Sequence, residues 1–457
     1  MTASVAAGLS GDSGWILTAA TLVVAGLLLA PGWIVGRSAR LAALPSLAVA
    51  PALSSAIIAA AEILAHTLAL PWLPWGWAVI AGLTAVVALM ARLLVGAPPE
   101  RARRAASQGR AEWVILAAGL TVAVAVPAGV ILTVLPGPGY PAQVFDATFH
   151  LNAVAAIREG GNASMLGGLS ALYSGRAVYY PTVWHGAVAL APGSPAPVST
   201  AGVLALTAVV WPLSLLGLLA RATGLDATRA SETERVHRRQ RTCAVAAVLA
   251  FSAAVVGFPL LPMTALAVWP YALSVAGLPG VLVLYDLLRQ ETASWRLRLV
   301  LVLLAMAAAG GVVAAHGTGL FNLAVLSPPF LVNLLVSRWR RCAAGRGGRA
   351  LLVAGAVASV LVLVVGAWVM RASLASVLGY QRPAGGVGGI VATLGQALID
   401  LPMYGAVPGA SLPVGIVFGG LTLAAAWSAR AHRDQRPWLV MWLLSLLLVV
   451  LVGGPQW

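Results

Sequence analysis

The sequence contains no lysine, and acidic side chains are few: 13 Asp and Glu stand against 28 basic residues, all of them arginine. Charged residues make up 9% of the 457 positions, where a soluble domain carries about 25%. A soluble fold of this length could not cover itself with so little charge. The net charge of +15 would suit a nucleic-acid partner. Here the arginines lie in short loops between apolar stretches, so they read as topology signals and no nucleic acid is expected. There are two cysteines, Cys243 and Cys342, far apart in sequence. That excludes a disulfide framework and a cysteine zinc site, and both read as small apolar fillers. The N-terminus lacks a basic leader, carries Asp12 and runs into a full-length apolar stretch. The first span therefore reads as a retained anchor and not as a cleaved signal. No internal repeat supports an inverted-repeat transporter.

What the sequence does have is apolar runs of about 20 residues, long enough to cross the hydrocarbon core as helices. Spans are expected near 16–36, 41–64, 75–95, 113–135, 198–220, 243–258, 268–288, 299–315, 319–337, 350–370, 411–429 and 437–452, about twelve in all. Arg37 and Arg40, the run Arg101 to Arg110, and the loops 222–242, 289–298, 338–349 and 430–436 then alternate to one side. The positive-inside rule makes that side cytoplasmic. Arg158, Arg176, Arg371 and Arg382 are the exceptions. The expected fold is an all-α polytopic integral membrane protein, a single transmembrane domain over 1–457 in the plasma membrane. It carries a first extracytoplasmic loop at 136–197, a second at 371–410, and no separate soluble C-terminal domain.

With the chain so oriented, four of the six histidines, His66, His150, His185 and His316, fall at outer helix ends or in outer loops, as do Asp146, Glu159 and Asp400. An ionisable group beside apolar surroundings needs a partner, so each is a functional candidate. Pro136, Pro138 and Pro141 precede, and Gly160 and Gly161 follow, a segment that should form an interfacial helix over about 144–159. Asp146 and His150 are four apart and share a face. A carboxylate beside a histidine can act as general base or hold a divalent cation; the plainer alternative is a helix cap and a hydrogen-bonded ring. Tyr180 and Trp184, in Tyr179-Tyr180-Pro181-Thr182-Val183-Trp184-His185, are either membrane-belt anchors or walls for a sugar ring. His185 and the turn His316-Gly317-Thr318-Gly319 could line the same space. Arg371 and Arg382 run against the charge bias and could hold a phosphate, with Asp400 nearby in sequence. His66 could pair with Glu62 one turn earlier.

Phe145-Asp146-Ala147-Thr148-Phe149-His150, with Tyr180-Pro181 and His316-Gly317 later, resembles an actinobacterial membrane family of unknown function with GT-C-like topology. More broadly, the long outer loop with an early acidic residue, the interfacial helix and the short-looped spans resemble the GT-C superfamily of membrane glycosyltransferases. The resemblance implies a GT-C-like bundle with interfacial helices in the first outer loop. It implies transfer of a sugar from a polyprenyl-phosphate donor to an extracytoplasmic glycan or lipid acceptor in cell-wall biogenesis. It gives Asp146 the role of base or metal ligand, with Mg or Mn as the divalent ion, and phosphate binding to Arg371 or Arg382. Many members carry two adjacent acidic residues where this chain has Asp146 and His150, and several carry a soluble outer domain that is not seen here. Two other readings belong to different classes: a transporter or flippase of lipid-linked glycans, and a non-catalytic scaffold subunit.

Overall fold

Helix α2 (Ala43–Thr67) is the axis of the larger part of the molecule. In the computed structural model, the described residues are 11–96, 109–135, 137–140, 142–225, 232–290, 294–341, 371, 412–431 and 435–452. Among them the chain is helical throughout, with an isolated antiparallel bridge between Leu166 and Tyr179. The chain divides into two compact units, one reaching Leu323 and the other beginning at Ala324.

In the first unit, α1 (Gly11–Ser38) packs along α2, followed by α3 (Trp72–Val95) and α4 (Arg110–Val134). The connection after α4 carries two short helices, α5 (Phe145–Gly160) and α6 (Val183–Ala189). Next come α7 (Pro195–Ala222), with a π-helical turn at Ala205–Val210, then α8 (Glu232–Ser252), α9 (Trp269–Gln290) and α10 (Trp295–Ala315). Helix α11 (Thr318–Leu326) lies at the boundary of the units.

Helix α2 touches α1, α3, α7, α9 and α10. Between lipid-embedded helices there is little hydrophobic drive, so small residues that let backbones close up decide the packing. Gly217 of α7 and Gly280 of α9 sit against Ala48, and Gly311 of α10 against Ala52; a Cβ at any of the three would collide with the α2 backbone. Ser214 donates to the Ala276 carbonyl at 2.8 Å and Ser274 to the Val312 carbonyl at 2.8 Å, tying neighbouring helices together. Helix α3 instead exposes Val86, Leu89, Met90 and Leu93, the surface of a helix that faces lipid.

Seven helices among the described residues are long and apolar enough to cross a membrane, or nine if each of two bent pairs is one span. The chain is therefore a multi-pass membrane protein. The bent pairs coincide with two expected spans and show each as broken. The stretch near 243–258 is Val236–Ser252 followed, after a 50° bend, by Gly257–Met263. The stretch near 319–337 is α11 followed by Pro328–Ser337. Pro259 in the first and the pair Pro328-Pro329 in the second lack the N–H that would continue the hydrogen-bond ladder. The expected span at 350–370 lies outside the described residues.

The second unit holds α12 (Pro328–Arg341), α13 (Leu412–Ala429) and α14 (Arg436–Val452). Phe330 meets Trp438 edge-on, with ring centres 4.7 Å apart.

The first unit has two chemically distinct ends. At one, Asp286 accepts from Arg221 Nε at 2.7 Å, Arg289 Nη2 at 2.7 Å and Gln290 Nε2 at 3.0 Å, and Arg238 pairs with Glu112 at 3.3 Å. Arg37 and Arg40 stand where α2 begins. Trp269, at the far end of α9 from Asp286, is about 25 Å away along the helix axis. That other end carries His66, His150, His185 and His316, whereas His237 stands beside Arg238 on α8.

Candidate functional site

Helix α5 starts after Val144, whose extended backbone takes the cap position without a side-chain bond. It stops at Gly161, which adopts the left-handed conformation (φ 66°) that glycine tolerates. The Gly161 carbonyl then accepts the Trp72 N–H at 2.6 Å, joining the end of α5 to the start of α3. The buried stripe of α5 is Ala147, His150, Ala153, Val154 and Ile157. This corrects the expected placement of Asp146 and His150 together on an outward polar face. A four-residue step turns about 400°, and that 40° offset puts Asp146 in the open and His150 inside. Asp146 is not the helix cap either, since Val144 holds that position.

His150 Nδ1 lies 2.9 Å from His185 Nε2, and His185 is fully buried on α6. Trp184, also fully buried, stacks obliquely on Trp269 at 4.9 Å, and His150 packs against both indoles. Trp184 is thus a core residue and neither a belt anchor nor an open wall. The carbonyl of Ala267 accepts from the remaining nitrogen of His150. One N–H joins His150 Nδ1 to His185 Nε2 while both rings are neutral. Ala267 itself is fully buried with φ 52°, a conformation that costs a non-glycine residue about 1–3 kcal/mol and is tolerated where the surroundings require it.

Burial shifts all three histidines toward neutrality. His150 is lowered to about 3 by desolvation first and then by the nearby His316. His316 is lowered to about 4 by desolvation. His185 lies well below its ordinary value through desolvation and then through His150. His185 Nδ1 has no hydrogen bond in good geometry, although the carbonyls of Pro181 and Thr182 lie close to the ring. His316 terminates α10, accepts from Thr318 and meets Tyr271 edge-on at 5.8 Å.

Beneath this layer sits Glu62 of α2, fully buried. Thr182 Oγ1 donates to its Oε2 at 2.9 Å, while Oε1 is without a partner among the described residues. Gly186 lies directly over that carboxylate, and a Cβ there would collide with Oε1. Trp72 Nε1 donates to the Gly186 carbonyl at 2.9 Å. Glu62 therefore serves α6, and the expected Glu62–His66 pair does not form; His66 is exposed.

Around Asp146 the surface is aromatic. Phe149 meets Tyr180 at 4.9 Å and Tyr173 at 6.4 Å. The Tyr180 phenol is pushed up by burial, then by Tyr173 and by Asp146, which places all three polar groups in one neighbourhood. Burial also raises the Asp146 carboxyl above its ordinary value. Arg158, one of the four exceptions to the charge bias, is a structural clamp. Its guanidinium donates to the carbonyls of Ala189, Ala191 and Gly193, holding the α6–α7 turn against α5.

The segments around Asp146, Tyr180, His185 and His316 thus converge. Arg371 is exposed and belongs to the second unit. Arg382 and Asp400 lie outside the described residues. Glu62, Thr182, Gly186 and Tyr173 were not singled out from sequence as one cluster. A carboxylate inside a span was the available signal for Glu62; nothing local marks the others.

A divalent ion fits this donor set poorly. The Nδ1 of His150 is committed to His185, and no cluster of three or more His, Cys, Asp and Glu able to hold a metal occurs among the described residues.

The chain belongs to the family described as "Family of unknown function (DUF6541)", whose profile matches residues 25–457. No curated protein and no solved structure matches it.

Proposed function

We propose that the protein is a GT-C-type glycosyltransferase of the plasma membrane. It moves a sugar from a polyprenyl-phosphate donor to an extracytoplasmic cell-envelope glycan or lipid. The observation that carries this reading is the setting of Asp146: a solvent-accessible carboxylate in the first turn of a short amphipathic helix, beside half-exposed aromatic rings and backed by a rigid buried wall. In this reading the acceptor hydroxyl gives its proton to Asp146 while its oxygen bonds to the anomeric carbon. The bond from that carbon to the phosphate oxygen breaks, and the electron pair leaves with the lipid phosphate. A carboxyl held above its usual range is a better proton acceptor at neutral pH than an ordinary aspartate. His150 and His185 hold α5 in place. An arginine neutralises the phosphate, and Arg176, exposed on the turn that follows Tyr173 in the same unit, is placed on the segment that carries the site.

The test is transfer of a labelled sugar from polyprenyl phosphate by the full chain in proteoliposomes. Asp146→Ala should reduce transfer by about 10²–10⁴-fold without changing the unfolding midpoint; undiminished transfer in that variant would remove Asp146 from the mechanism. The wild-type rate should fall on acidification, with its midpoint above that of an ordinary carboxylate.

Glu62 favours a second reading, transport of a lipid-linked glycan, because a buried carboxylate within a span is a usual coupling site. Glu62→Gln would then abolish movement of the lipid while Asp146→Ala would not.

A further inference from the structure

Tyr173 lies on the 3-10 turn Ser170–Tyr173, ahead of two residues, Ser174 and Gly175, with positive φ. That turn and the bridge between Leu166 and Tyr179 fold the 161–181 segment back over α5. The result is a patch of three half-buried rings. Phe149 is at the centre, with Tyr180 4.9 Å and Tyr173 6.4 Å from it. Tyr180 is braced from below by His185 at 5.7 Å, so its ring is held in place by the buried wall. The Tyr173 and Tyr180 hydroxyls and the Asp146 carboxylate share one neighbourhood. Half-exposed rings bearing two phenols beside a carboxylate present what a sugar requires: an apolar surface for its C–H face and hydrogen-bonding groups for its hydroxyls.

We infer that Phe149, Tyr173 and Tyr180 form a sugar-ring subsite that seats a pyranose or furanose with one hydroxyl toward Asp146. This rests on the glycosyltransferase reading and deepens it by adding Phe149 and Tyr173 to the site. The ring could belong to the donor or to the acceptor, and the chemistry of recognition is the same.

The experiment is saturation-transfer NMR on the full chain in nanodiscs. One arm uses a panel of methyl pyranosides and furanosides, the other a short-chain polyprenyl-phosphate sugar. Saturation of sugar ring protons in the first arm identifies the acceptor as occupant; saturation in the second arm alone identifies the donor. Tyr173→Leu and Phe149→Leu should each weaken binding about tenfold, and Tyr173→Phe, which keeps the ring, should weaken it less. Glu159→Gln, on the exposed end of α5, should leave it unchanged. If the leucine variants fail to fold, Tyr173→Phe and Tyr180→Phe still report on the two hydroxyls. No saturation in either arm, or binding indifferent to both leucine variants when folded, overturns the subsite. Sugar binding in a wild-type protein that transfers nothing would uphold the subsite and count against the transferase reading instead.

Discussion

His150 and His185 are neutral because burial removes the water that would solvate an imidazolium; His316 further discourages a proton on His150, and His150 one on His185. An unfolded histidine titrates near 6.5. With both folded values far lower, the unfolded chain binds more protons below pH 6.5. Stability is therefore present above that pH and is lost as pH falls from about 6.5 toward 3. Each buried neutral histidine costs about 1.4 kcal/mol per pH unit over this window, or about 2 kcal/mol at pH 5. Thermal unfolding in detergent should show a midpoint that drops steeply between pH 7 and 5. The His150→Gln, His185→Gln double variant should show a shallower slope, even if it is less stable at neutral pH. A slope identical in the two proteins would mean that the pair is solvated or charged.

At the scale of elements, α6 is seven residues long, too short to stand alone. It is held by Thr182 and Gly186 on Glu62, by Trp72 on the Gly186 carbonyl, and by the Trp184–Trp269 stack. Gly186→Ala drives a methyl group into a carboxylate that cannot retreat into water. We expect a loss of about 1–3 kcal/mol, the cost of overpacking, read as a lowered unfolding midpoint. Loss of the His150–His185 bond would accompany it, visible in imidazole ¹⁵N shifts. An unchanged midpoint would show that α6 is free to move off α2.

Sequence legibility follows the range of the interactions. Helix α5 could be bounded from its flanking prolines and the Gly160-Gly161 stop, because caps and breakers act within one turn. The Asp146 and His150 spacing is also local and marks the helix that carries both residues. It could not show that a 40° offset separates an exposed carboxylate from a buried ring. Glu62 was assigned to His66 because they are neighbours along α2, whereas its partner Thr182 is 120 residues away. Tyr173 and Gly186 carry no local signature, because their roles come from what the fold sets against them. Arg158 likewise acts on the carbonyls of the α6–α7 turn, more than 30 residues along the chain.

At the scale of the whole molecule, most arginines of the first unit gather at one end, while His66, His150, His185, His316, Glu62 and Asp146 lie at the other, with Arg158 and Arg176 the exceptions. By the positive-inside rule we propose that the arginine end is cytoplasmic. In a Cys243→Ser, Cys342→Ser background, Glu159→Cys should react with a membrane-impermeant maleimide on intact cells. Arg110→Cys, exposed at the start of α4, should react only after permeabilisation. The reverse pattern would turn the site to the cytoplasm.

The central claim is that a lipid-linked sugar is handled at Asp146. The most direct measurement is a cryo-EM structure of the full chain with a polyprenyl-phosphate sugar. The expected result is density for the sugar ring over Phe149 and Tyr180, with a hydroxyl or the anomeric carbon facing the Asp146 carboxylate and the lipid tail leaving sideways between helices. Density for the sugar at another face of the protein, with the surface around Asp146 occupied by solvent alone, would contradict it.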